Sequence, residues 1–459
     1  MGPGNILSVI DNNYCIGCGL CSFLNKKIDM AINDEGFYKA KIQDILGELE
    51  IDYLSKYCPF STEYDEDYIA NKIFPNDFFK NEKIGTYMSS YVGHVVEEDY
   101  RELGSSGGFG KWIIAELFKS GLINRVIQVK QNIRSSSNEL LYEYDIFENL
   151  DEIKSGSKSC YYPVEMSKVI KFIQENEGNY LITGVPCFIK AIRLLQLEDP
   201  IFNKRIKFTV GIFCGHLKSI NYASMISWQL GVKPNDIKSL DFRKKGLGHK
   251  ANEKGVEVQS ISNSEIINND IVQNLFGTNY GHGFFKYKAC DYCDDVVNEL
   301  ADISIGDAWL PKYVVDKNGT SIIIVRNKII QNLLDLAVDE NRISLNQIDE
   351  SEIIESQAGG FRHKREGLAY RLFLEQASNM WAPKKRVEPS RKLSKSKRKI
   401  HRTRIHVRDS STKHFIEAQQ NNDFNSFKLK LEKITRKLKR PLLFRMLGKI
   451  KRLLTDAFF

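Results

Sequence analysis

From residue 91 onward, apolar and polar positions alternate between two rhythms. Residues 91–96 form a short apolar run. Residues 111–119 then place Ile113, Ile114, Leu117 and Phe118 on one face of a 3.6-residue period, which Gly121 ends. The same reading predicts strands at 126–129, 180–185 and 208–214, and helices at 169–175, 188–197 and 221–230. Strands alternating with helices predict an α/β body around a largely parallel sheet. Past residue 235 the pattern is mixed, with strands at 237–242, 302–305 and 321–326 and a helix at 328–338.

The flanks differ from this body. Residues 1–60 read as a small cysteine-bearing module, and 61–90 as a linker or wrapping segment. The body divides into 91–230 and 231–383. From Lys384 to Phe459 the chain holds 24 Lys and Arg against 6 Asp and Glu, a net +18, which leaves −10 on everything before it. Residues 384–414 are too charged to fold alone and are expected to be disordered. Beyond them Phe427, Leu431, Ile434, Leu438, Leu442, Leu443, Met446, Leu447, Ile450 and Leu453 recur at helical spacing, and Pro441 splits the stretch into two basic amphipathic helices. Charge and apolar area together point to an anionic membrane surface at the inner face. Nucleic acid is the weaker rival, because phosphate binding needs no apolar face. Packing on the acidic body is the third alternative.

At 459 residues and 42% hydrophobic, the chain can bury a sizeable core. No run of about twenty apolar residues and no charged-then-apolar leader appears, so a reducing cytosol is expected. Nine cysteines are then better read as ligands than as disulfides.

Cys15, Cys18 and Cys21 form a C-x2-C-x2-C run. In a two-cluster ferredoxin the fourth cysteine of such a run ligates the other cluster; its position here is Asn25. Cys58-Pro59 ends a second run whose other cysteine positions hold Glu48, Ile51 and Leu54. The survivors are the four ligands of one cubane, and the four missing positions are those of the other. A four-thiolate zinc knuckle is the alternative. Four further cysteines, Cys187, Cys214, Cys290 and Cys293, are spread along the body and offer a second [4Fe–4S] site; each alone could equally be a small buried hydrophobe. Cys160 is left over.

Gly104, Ser105, Ser106, Gly107, Gly108 and Phe109 open a helix, where glycines and unpaired amides suit a phosphate; a loop of this composition is otherwise merely flexible. Ser157 and Lys158 lie in a second small-residue turn. His216, two residues past Cys214, is a candidate proton donor or a structural histidine. Asp302 and Asp307 either orient a cluster-binding turn or simply end a strand.

Gly104–Gly110, Thr183-Gly184-Val-Pro-Cys187, Gly211-Ile-Phe-Cys214 and Cys290-x2-Cys293 with Leu300–Asp307 together resemble the coenzyme F420 hydrogenase/dehydrogenase beta-subunit family over roughly residues 90–380. A ferredoxin-type module stands in front. The resemblance implies FAD (FMN is the alternative) beside a [4Fe–4S] cluster on Cys187, Cys214, Cys290 and Cys293. It also implies flavin contacts from the 104–109 loop, from Ser157 and Lys158, and from Thr183 and Gly184. This chain has Ser159 where the family usually has an aromatic residue.

The expected fold class is therefore α/β: a ferredoxin-type module, a mixed α/β body for flavin and cluster, and a basic helical tail. The expected function is a flavin-dependent iron–sulfur oxidoreductase with two [4Fe–4S] clusters, fed by ferredoxin or a similar donor and reducing a small molecule. Lys158 and His216 are the candidate catalytic groups, and surface-polysaccharide metabolism is an expectation drawn from some bacterial relatives. The alternatives are a non-catalytic subunit relaying electrons to a partner enzyme, and an interaction module whose redox parts have decayed.

Overall fold

The computed structural model describes residues 4–245, 248–269 and 271–438. Eight strands build one sheet: β1 (Ser89–Val95), β2 (Arg125–Gln131), β3 (Tyr142–Phe147), β4 (Tyr180–Gly184), β5 (Ile206–Ile212), β6 (Ile303–Asp307), β7 (Ser321–Val325) and β8 (Ile343–Gln347), in the order β8-β1-β7-β6-β5-β4-β2-β3. The central β2, β4, β5 and β6 run parallel, and every other pairing is antiparallel. The sheet is thus mixed rather than largely parallel. The short connection from β2 to β3 leaves no room for a crossover helix, and the one from β6 to β7 holds only the four-residue helix Pro311–Val314; each strand returns antiparallel. Strands from residues 91–230 and from 231–383 share this one sheet.

Helices cover both faces. Phe109–Lys119 and Lys328–Asp339 pack Trp112, Ile113, Leu117, Ile330 and Leu334 on one side. Ser167–Glu175 and Pro186–Glu198 pack Ile170, Ile173, Phe188 and Ile192 on the other. Residues 61–90 wrap this body: helix Glu66–Ile73 and a hairpin of Phe79–Asn81 with Gly85–Tyr87 bury Ile69, Phe74 and Ile84.

The N-terminal module has helices Ile6–Asp11, Leu20–Leu24 and Glu48–Tyr57 around an antiparallel hairpin of Ile28–Ile32 and Tyr38–Ile42. Three of the four lost cysteine positions have been rebuilt. Ile51 and Leu54 join the module's apolar core, and Asn25 donates to Glu50 at 2.9 Å, which also pairs with Lys27.

The expected disorder at 384–414 is overturned. Lys395–Asn421 is a 27-residue helix capped by Ser394 and docked on the body. Its inward face is largely polar, with His401, Thr403, Arg408, Ser411 and Thr412 buried beside Val407 and Phe415. Charge did not prevent folding because those groups find partners: Arg408 meets Asp291 and the Ser411 hydroxyl accepts from the Phe285 amide. A second helix, Phe424–Thr435, folds back with Phe427 against Phe276, Phe284, Phe285 and Phe415. Phe427 and Leu431, expected on a membrane-facing stripe, are therefore spent on the protein's own core. Leu442, Leu443, Met446, Leu447, Ile450 and Leu453 lie outside the described residues. Among the described residues no helix is long and apolar enough to cross a membrane.

Candidate functional site

Cys15, Cys18, Cys21 and Cys58 line one cavity. Gly17 and Gly19 let the chain curl around it. Gly19 sits at φ 86°, a left-handed conformation that side chains rarely adopt, and starts the short helix carrying Cys21. Cys58 closes the ring from the end of helix Glu48–Tyr57. The remaining lining is apolar or aromatic, including Ile6, Val9, Leu20, Leu54, Tyr57 and Phe60. The Ala40 amide donates to Cys15 Sγ at 3.4 Å. Burial pushes the Cys18, Cys21 and Cys58 thiols up, with a smaller contribution from neighbouring sulfurs.

Cys187, Cys214, Cys290 and Cys293 line a second cavity with Ile16, Phe60, Pro186, His216, Leu217 and Lys364. Cys187 lies in the first turn of the helix after β4, Cys214 just beyond β5, and Cys290 in the 3-10 turn Lys288–Tyr292, which ends at Cys293. The Leu217 amide donates to Cys290 Sγ at 3.2 Å, and Lys364 Nζ stands 3.3 Å from Cys293 Sγ. Burial raises the Cys187 thiol well above its usual range, Cys214 up to about 12 and Cys290 up to about 11. Six of these thiols, three in each group, are held against ionisation by burial and demand a cationic centre if they are to serve as thiolates. Among the described residues no three His, Cys, Asp or Glu side chains converge as the donors of one metal ion do; the eight cysteines instead line two cavities, four in each, which are called rings below. Ile16 and Phe60 line both cavities, so the two rings share a wall. Cys160 belongs to neither ring. It packs beside the cluster of Tyr142, Tyr162 and Phe242, and burial lifts its thiol up to about 12.

The predicted phosphate loop meets the predicted second turn. Ser105 Oγ accepts from the Ser159 amide at 2.9 Å, and Ser157 is tied through its amide to Val129. Gly107 and Gly108 are glycines for packing reasons. A Cβ on Gly107 would stand 2.6 Å from the Gly93 carbonyl oxygen, and one on Gly108, at φ 93°, would stand 2.9 Å from the Arg101 backbone. The Gly107 amide is already given to Ser321 Oγ at 3.0 Å. Ser106 Oγ donates to the Thr320 carbonyl. Phe109, expected at the cofactor, is fully buried against Trp112 in the core instead, because it is the first inward residue of its helix. Thr183 and Gly184 end β4 with their carbonyls taken by Tyr144 and Asn298.

Cations gather over this loop. Lys158 pairs with Asp241 at 2.8 Å, and Arg243 makes a two-pronged pair with Asp307 at 2.8 and 3.0 Å while also reaching the Ser105 carbonyl. Lys245 donates to the carbonyls of Arg101 and Ser106. Lys254 is buried, and its Nζ has no hydrogen-bond partner among the described residues. Burial, reinforced by the other cations, lowers Lys254 to about 8 and Lys245 to about 7. An orphaned buried ammonium among surplus cations is what an anionic group such as a flavin phosphate would satisfy. Sequence reasoning singled out Lys158 but missed Lys254, which the strand Gly255–Ser260 brings over the loop from far along the chain.

His216 lies between the second ring and the cations. Its ring stacks on Tyr280 with centroids 3.8 Å apart, Tyr280 meets Tyr161 at 5.5 Å, and the Tyr161 and Arg243 side chains interact. Burial, with Lys218 and Lys286 nearby, holds the imidazole well below its usual range, so it is neutral near pH 7. Asp302 is buried in a network with Arg193 and Thr209, away from the rings.

Residues 90–171 match the N-terminal model, and residues 177–351 the C-terminal model, of the coenzyme F420 hydrogenase/dehydrogenase beta subunit. The chain is 22% identical over 260 residues to an uncharacterized protein of Methanocaldococcus jannaschii, covering 54% of this chain and 84% of that one. A chain in a xenon-derivatized structure of the F420-reducing [NiFe] hydrogenase complex from Methanosarcina barkeri is 16% identical with a TM-score of 0.48, covering 66% of this chain and 96% of the other. With both family models matched in order, this chain belongs to the coenzyme F420 hydrogenase/dehydrogenase beta-subunit family and is a redox protein of that kind.

Proposed function

We propose that the chain is an iron–sulfur flavoprotein oxidoreductase that accepts electrons from a ferredoxin-type donor and uses them to reduce a small acidic molecule. Cys15, Cys18, Cys21 and Cys58 would hold one [4Fe–4S] cluster, and Cys187, Cys214, Cys290 and Cys293 a second. The cations around Ser105 would hold FAD, or FMN, by its phosphate. When bound, such groups supply one-electron carriage and its conversion to two-electron reduction.

The protein's own residues do the rest. Ile16 and Phe60 give the two rings a common apolar wall that excludes water and keeps them adjacent. Lys158, Arg243, Lys245 and Lys254 present donors to an anion, and Arg243 is fixed for that task by Asp307. His216, neutral and with its Nε2 unpaired among the described residues, stands where a proton could be passed on the flavin side of the second ring. A deazaflavin coenzyme is one acceptor that suits the cations, and an acidic intermediate of surface-polysaccharide metabolism is another.

The observation that carries this reading is the sorting of eight cysteines, scattered over 279 positions of chain, into two rings with a shared wall. Anaerobic purification followed by iron, sulfide and flavin analysis tests it. About eight irons and one flavin per chain are expected. Stoichiometric zinc with little iron is the result that overturns it.

A further inference from the structure

The two rings differ in one respect that an electron would feel. The first is lined, apart from its cysteines, by apolar and aromatic side chains and glycine. Its neighbouring cation, Lys39, gives its Nζ to the Cys15 carbonyl oxygen at 2.7 Å and not to a sulfur. The second ring has a lysine in its wall. Lys364 ends helix Ala358–Lys364, is 1% exposed, and donates from Nζ to Cys293 Sγ and to the Asp295 carbonyl. Both of those partners are formally uncharged while the thiols are protonated. A buried ammonium without a carboxylate on it is costly, so its placement makes sense only against a negative centre. Both rings also receive neutral main-chain donors, at Cys15 and at Cys290. The charged donor to sulfur belongs to the second.

We infer that Lys364 sets the reduction potential of the centre held by the second ring, raising it above what the four sulfurs alone would give. The inference rests on the iron–sulfur reading above. One electron entering this ring makes the charge it encloses more negative by one unit, with no bond formed or broken, and the donor side is oxidised by the same one electron. A fixed positive charge in a dry wall favours the more negative state, as do hydrogen bonds to cluster sulfur. Neighbouring carboxylates offset part of this charge from a distance, the buried Asp295 first among them, but they remain in place when Lys364 is changed. Asp291 is taken by Lys286, Arg371 and Arg408. The Asp295 carboxylate accepts from the amides of Asn298 and Glu299.

The test is a potentiometric EPR titration of anaerobically purified wild-type, Lys364→Met and Lys364→Arg proteins, with iron counted in each. The second-ring signal is identified as the one surviving in Cys18→Ser. Lys364→Met should keep the full iron content and shift the second-ring midpoint to lower potential, with the first-ring midpoint unmoved. Lys364→Arg should return it toward wild type. Full iron with both midpoints unmoved overturns the inference. So does loss of second-ring iron in both variants, because Lys364 would then be a prop for the fold. Wild-type protein with no second-ring signal removes the iron–sulfur reading itself, an outcome the wild-type iron count separates from the other two.

Discussion

Arg408, in the long C-terminal helix, donates at 2.7 Å to Asp291, the residue that follows Cys290. Asp291 is buried and also receives Lys286 and Arg371. These cations hold its carboxyl well below the usual carboxylate range despite burial. The turn that presents Cys290 and Cys293 is thereby pinned from beneath by a helix more than a hundred residues away in sequence.

That clamp makes the C-terminal helix part of the second ring's support. Removing one partner of a buried pair strands the other charge, which typically costs about 3–5 kcal/mol. Arg408→Met should sit at the low end, near 3 kcal/mol, because Lys286 and Arg371 remain. Asp291→Ala leaves several cations unpaired and should release the iron of the second ring while the first keeps its own. Iron per chain should fall from about eight to about four. An Asp291→Ala protein with undiminished iron would show that the turn stands without the clamp.

The glycines of the 104–108 loop are poor probes of flavin binding, since bulk at Gly107 collides with β1 before it reaches any ligand. Lys254 is the cleaner probe. Among the described residues its Nζ has no partner to lose, so Lys254→Met should leave the fold and the iron intact while lowering bound flavin several-fold. Flavin released by acid and quantified by chromatography reads this directly. Unchanged flavin content would move the phosphate away from this cluster.

The same lysines predict a pH dependence. Lys254 and Lys245 are bases held below their usual range by burial, among Arg101, Lys158, Arg243, Glu102, Asp307 and Asp316. A folded-state pKa below the unfolded value means that these groups cost stability as pH falls from the ordinary lysine range, with the cost complete below about pH 7. A bound anion raises both pKa values. Binding should therefore take up protons between about pH 7 and 9 and weaken as pH rises through that window. Calorimetry of FAD added to flavin-depleted protein, in two buffers of different ionisation enthalpy, measures the uptake. Heats independent of buffer would separate the lysines from the ligand.

Much of this was legible in the sequence, for identifiable reasons. The C-x2-C-x2-C run and Cys58-Pro59 are local spacings, and the missing cysteines at 25, 48, 51 and 54 specified which four would group. Helix 169–175 was read from a strongly one-sided pattern and is observed as Ser167–Glu175. The helix Lys395–Asn421 was missed because its buried face is made largely of His, Thr, Arg and Ser, which carry no hydrophobic period; its partners, Asp291 for Arg408 and the Phe285 amide for Ser411, lie far away in sequence. Lys254 and Lys364 were missed for a related reason. Each is one lysine among many until a distant strand or helix carries it to the loop or the sulfurs.

The basic tail retains one unassigned stretch. Phe427 and Leu431 are committed to the core, so the apolar residues this tail still has for a membrane lie chiefly in 439–459. These hold six Lys and Arg against one Asp, together with Leu442, Leu443, Phe444, Met446, Leu447, Ile450, Leu453, Leu454, Phe458 and Phe459. Each basic residue near an anionic surface contributes about 1 kcal/mol, and apolar side chains add burial at the headgroup boundary. A chain ending at Pro383 would be a faulty control. It would strip away Lys385 and Arg386, which pair with the buried Asp294 and Glu299, as well as the Arg408 clamp. A chain ending at Leu438 keeps all of these. Full-length protein should co-sediment with anionic vesicles, less so at high salt, and not with neutral ones, while the chain ending at Leu438 should stay in solution. Equal sedimentation of the two with anionic vesicles would place the attachment on the folded body.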